Sequence, residues 1–136
     1  MSHFLADIDF VESLWREALS GETGDARRFA EAHRRASFAI SVDTSIRLLA
    51  AAGAHDEEAG NRFLEAFPVL PLDGAVLTRA ASLFRTLDLP LETAIEGALA
   101  TVHQLRILTG NPARYHLLPG IAVVDFRPRP DEESAE

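Results

Sequence analysis

Apolar and polar positions alternate between two periods along this chain, short continuous apolar runs and longer stripes at helical spacing. Phe4 to Ile8 is a short apolar run that reads as a buried strand, and Phe10, Val11, Leu14 and Trp15 then mark the inner face of a helix near 9–20. Ser20-Gly21-Glu22-Thr23-Gly24-Asp25 is turn and cap chemistry, followed by a helix near 25–35 carrying Phe29 and Ala32. Phe38 to Val42 is the next strand, and Thr44 or Ser45 can cap a helix running through Ala52.

Helical spacing returns over 56–66, and 68–72 reads as a brief strand. Asp73 is placed to cap the helix in which Val76, Ala80 and Phe84 recur at i, i+4 and i+8. Pro90 opens another helix, whose stripe is Ile95, Ala98, Leu99, Val102 and Leu105. Arg106 to Thr109 and Ile121 to Val124 complete a count of about five strands. Short apolar strands alternating with helices predict an α/β fold in three layers, α/β/α, around a central and mainly parallel sheet. A single domain over 1–125 is expected. Residues 126–136, broken by proline and rich in acids, are expected to form a disordered tail.

Composition narrows the chemistry. The chain has 136 residues and no cysteine, which excludes thiol catalysis, disulfides and zinc–thiolate sites. Neither a secretory leader nor an apolar run of the roughly 20 residues needed to span a bilayer is visible, so a cytoplasmic protein without a membrane partner is expected. The net charge of −8 argues against strong general affinity for nucleic acid. All 13 basic residues are arginine, so each cation is a planar fork suited to carboxylates and phosphates. The five histidines show no zincin spacing, and there is no nucleophile elbow, P-loop or dinucleotide glycine fingerprint. Arg27, Arg28, His33, Arg34 and Arg35 form the one local basic concentration, readable as a phosphate contact or as a solvated helix face.

The candidate chemistry lies at Asp7-Ile8-Asp9, where the first strand delivers two carboxylates just before a helix. Open α/β sheets bind ligands in that place. Several segments, in order, resemble the PIN domain, the fold of VapC-type toxin ribonucleases. Leu5 to Val11 is similar to its opening strand, Ile40 to Leu49 to its second strand and helix, and Phe63 to Gly74 to its centre. Leu89 to Ile95 is similar to the start of a later helix. Leu108-Thr109-Gly110-Asn111-Pro112 resembles its late Thr-X-Asn/Asp turn, and Leu118 to Val124 its closing strand.

The resemblance implies phosphodiester hydrolysis assisted by Mg²⁺ or Mn²⁺ held by several acids. Asp7 matches the first of these, and Asn111 matches the late aspartate or asparagine after Thr109. The second and third acids fall on Arg47 and Thr93. The resemblance therefore implies a ribonuclease-like protein whose hydrolysis is lost or weak, acting by binding RNA, an antitoxin-like protein or a second copy of itself. The alternative is an active Mg²⁺-dependent single-strand endoribonuclease, the toxin of a toxin–antitoxin pair. It would use Asp7, Asp9, Glu96 and the amide of Asn111, because Glu96 lies only about 60° around the helix from Thr93. Arg47 is expected either to reach Asp7 or Asp9 as a built-in counter-ion or to point into solvent.

Overall fold

The computed structural model describes residues 3–128. Five strands, β1 (His3–Ala6), β2 (Ser37–Ser41), β3 (Val69–Leu70), β4 (Arg106–Thr109) and β5 (Val123–Asp125), form one sheet in the order β3-β2-β1-β4-β5. Every pairing is parallel. The chain builds outward from β1 through β2 to β3, then returns to the other side of β1 for β4 and β5. That reversal between β1 and β4 opens a crevice at the carboxyl ends of the strands.

The helices are α1 (Ile8–Ser20), α2 (Asp25–Ala32), α3 (Val42–Ala52), α4 (Glu57–Leu64), α5 (Gly74–Leu87) and α6 (Leu91–His103). Side-chain alternation along the strands sorts them into two layers. Phe4, Ala6 and Leu108 face one core with Phe10, Val11, Trp15, Ala26, Leu48 and Leu64 of α1 to α4. Leu5 and Ile107 face the other with Val76, Ala80, Leu83, Ala94, Ala98 and Leu99 of α5 and α6. Burying a large apolar side chain contributes about 1.5–3 kcal/mol, so each central strand ties both layers together. This is a three-layer α/β/α fold with an all-parallel sheet.

Several expectations shift in detail. Ser41, not Thr44 or Ser45, caps α3: its Oγ accepts from the Thr44 amide at 3.0 Å, and the helix begins at Val42. Asp73 caps α5 as expected, accepting from the Val76 amide at 3.1 Å. Within α5 the third inward position is Leu83, while Phe84 is exposed. The α2 helix stops at Ala32. His33 leaves helical geometry there, and its ring stacks on Phe29 with centroids 4.0 Å apart.

The expected tail boundary also moves. Phe126 is buried against Phe10, with ring centroids 5.3 Å apart, so the packed domain runs past Asp125. Its backbone N–H also donates to Thr109 O at 3.1 Å, continuing the β4–β5 pairing. Residues 129–136 of the expected tail lie outside the described residues. No described helix is long and apolar enough to cross a membrane.

Candidate functional site at the carboxyl end of the sheet

Asp7 follows β1 directly and caps α1, and that local role explains its orientation. Its Oδ1 accepts from the amides of Asp9 at 3.0 Å and Phe10 at 3.4 Å, while its own N–H donates to Leu108 O on β4. A carboxylate at a helix N-terminus is favoured by the helix dipole and satisfies donors that the helix leaves open. Asp7 is nevertheless only 1% exposed. Burial pushes its carboxyl upward from the ordinary carboxylate range, with neighbouring Asp9 acting in the same direction, and the hydrogen bonds it accepts oppose the shift.

The second oxygen, Oδ2, is claimed from the turn after β4. Tyr115 Oη donates to it at 2.6 Å and Arg114 lies at 3.3 Å. The same guanidinium reaches Asp9 at 3.4 Å, so Arg114 bridges the two carboxylates that frame the start of α1. Tyr115 is buried in the α5–α6 core layer, and its hydroxyl is held strongly toward the protonated form, by burial first and then by the charge of Asp7. A protonated phenol is the donor that a buried carboxylate requires.

Arg47 is not the counter-ion of Asp7 or Asp9. It is about half exposed and pairs with Asp43, one turn earlier, at 2.9 Å and with Glu92 on α6 at 3.8 Å. The reason is local: Asp43 at i−4 is within reach of a side chain on the same helix face, whereas Asp7 already has Arg114.

Glu96 on α6 is 3% exposed. Its Oε1 accepts from Ser41 Oγ at 2.7 Å and Thr44 Oγ1 at 3.3 Å, and its Oε2 has no partner among the described residues. Desolvation pushes this carboxyl up to about 8, which favours its protonated form. Asp7, Glu96, Arg47, Arg114 and Tyr115 line one cleft of about 100 Å³, together with Ile8, Asp43, Thr44 and Glu92.

The other expected site residues do not line this cleft, although Asp9 and Thr109 are neighbours of Asp7. Thr93 is buried and its Oγ1 has no partner among the described residues, but it does not line the cavity. Thr109 ends β4 and organises the turn, accepting from the Asn111 amide at 2.9 Å and lying 3.5 Å from Asp9 Oδ2. Asn111 itself is exposed. Asp9 opens into a separate cavity with Arg16, Gly110 and Arg127. The basic stretch of α2 is a solvated face, with Arg27 paired to Glu31 and Arg28 to Asp25.

These residues do not fit the divalent ion that the resemblance implies. Among the described residues no three histidine or acidic side chains converge in a way that could hold a metal. Both oxygens of Asp7 already accept hydrogen bonds, Oδ1 from the amides of Asp9 and Phe10 and Oδ2 from Tyr115 and Arg114. Sequence reading missed Arg114 and Tyr115, the two side chains that saturate Asp7. Nothing local distinguishes them, since they reach Asp7 across more than 100 residues of chain.

No family model matches this sequence, and no curated protein does. The structure does match solved ones. A chain of a toxin–antitoxin complex from Klebsiella pneumoniae superposes with a TM-score of 0.72 at 23% identity, over 90% of this chain and 97% of that one. A chain of the DNA-bound VapBC from Salmonella typhimurium gives 0.70 at 19%, over 93% and 100%. One from VapBC-1 of nontypeable Haemophilus influenzae gives 0.70 at 15%, over 91% and 98%. The chain thus shares the three-layer α/β/α fold of these toxin–antitoxin structures, a PIN-like fold.

Proposed function

We propose that this chain is a VapC-like member of a toxin–antitoxin system that acts by binding an antitoxin-like protein, with hydrolysis lost or very weak. The observation that carries this reading is the composition of the cleft at the β1–β4 reversal. Two guanidinium groups, Arg47 and Arg114, stand among its carboxylates, and Arg114 pairs with Asp7. The fold is shared with chains crystallised in toxin–antitoxin complexes, which supports a protein partner. Exposed Ile46, Leu77, Phe84 and Leu91 supply apolar surface for such a partner or for a second copy of the chain.

The cleft residues have a role in this reading without chemistry. Arg47, paired with Asp43 on its own helix, links α3 to α6 through Glu92, and the Ser41–Thr44–Glu96 network ties β2 and α3 to α6. These contacts connect the walls of the cleft.

The test has two arms. The purified chain is incubated with a panel of single-stranded RNAs in Mg²⁺ or Mn²⁺, and is separately co-expressed with the product of the adjacent reading frame. Intact RNA together with a stable, stoichiometric complex supports the proposal. Cleavage that disappears in both Asp7→Ala and Glu96→Gln favours an active endoribonuclease instead. Sedimentation of the chain alone reports whether it pairs with itself.

A further inference from the structure

The Asp7–Asp9 pair already has a cation, and the chain supplies it. We propose that Arg114 is a tethered counter-ion that occupies the ligand positions of Asp7 and Asp9 and so closes them to divalent metal ions. The inference deepens the reading above by giving the cleft a resident occupant, and it concerns only the chain's own side chains.

Counting lone pairs carries the argument. Asp7 Oδ1 is used by the amides of Asp9 and Phe10, and Oδ2 by the Tyr115 hydroxyl and the Arg114 guanidinium. Asp9 takes the other end of the same guanidinium and faces the Thr109 hydroxyl. An incoming Mg²⁺ or Mn²⁺ would have to displace a charge-assisted contact and then sit beside a positive group it repels.

The position of Arg114 is built into the fold. It lies on a 3₁₀ turn over Pro112–Tyr115, entered through Pro112 and closed by the Arg114 amide donating to Asn111 O at 3.1 Å. Its neighbour Tyr115 is anchored in the core and bonds the same carboxylate oxygen. The guanidinium is therefore held beside Asp7 by covalent connection, and a free ion competes against an intramolecular partner.

Isothermal titration of the full chain with Mn²⁺ tests this. The wild type is expected to show no saturable binding at low millimolar ion. Arg114→Gln, which keeps much of the side chain but not the charge, should bind Mn²⁺ at least about tenfold more tightly, about 1.4 kcal/mol. Adding Asp7→Asn should abolish the gain, and Arg114→Lys should behave as the wild type. Circular dichroism follows folding. A folded Arg114→Gln protein with no gain overturns the proposal. Should that variant unfold, Arg114→Met takes its place in the same titration, and saturable wild-type binding lost in Asp7→Asn overturns the proposal in either case. These titrations are independent of partner capture, so failure of either reading is recognised separately.

Discussion

Single side chains at this site are governed by burial and by who else claims the same atom. Glu96 is the clearest case. Its carboxyl sits near 8 in the fold against an ordinary value of 4.5, so the native state holds a proton that the unfolded chain releases. Stability from this group is therefore full below about 4.5 and is lost as pH rises through about 8. Raised Asp7 acts in the same direction. The melting temperature should fall between pH 5 and pH 8.5, and Glu96→Gln should flatten that fall, as a pH series of thermal melts would show. Tyr115→Phe removes one donor from a buried carboxylate while leaving the ring in place. Hydrogen bonds to charged groups contribute about 1.5–3 kcal/mol, and urea unfolding should report a loss of that size.

At the scale of elements, two helix caps that look alike in sequence do different work. The Asp73 side chain caps α5 and has no other hydrogen-bond partner among the described residues. Ser41 caps α3 and also donates to Glu96 across 55 residues. Asp73→Ala should cost about 1 kcal/mol, the ordinary value of a cap. Ser41→Ala should cost more, because it also leaves a buried carboxyl short of a donor. Chemical denaturation of the two variants side by side measures the difference. The elements themselves were largely legible, since strand and helix periods are local signals. Their ends were less so: Thr44 looks as good a cap as Ser41 until the helix axis is known.

At the scale of the whole molecule, the crevice exists because the sheet order reverses at β1, bringing the ends of β1, β2 and β4 together. Asp7, Ser41 and Thr109 are the residues at or just beyond those ends. The domain closes beyond its last strand through Phe126, which lies against Phe10 of α1 and beside Gly110. Phe126→Ala should therefore destabilise the fold by about 3–5 kcal/mol, as for other buried phenylalanines. A dispensable tail residue would change nothing, and thermal unfolding separates the two outcomes.

The sequence by itself determined the layers, the strands and the placing of Asp7 at a strand end, because apolar periodicity and caps act over a few residues. It also showed that Arg47 and Thr93 stand where the resemblance implies acids, since residue identity needs no coordinates. Only the tertiary structure decided which arginine neutralises Asp7. Arg47 was the candidate by motif, yet Asp43 one turn away holds it, and Arg114 reaches Asp7 from a turn 107 positions later. Ion pairing is a short-range competition in space, and sequence separation carries no information about who wins it.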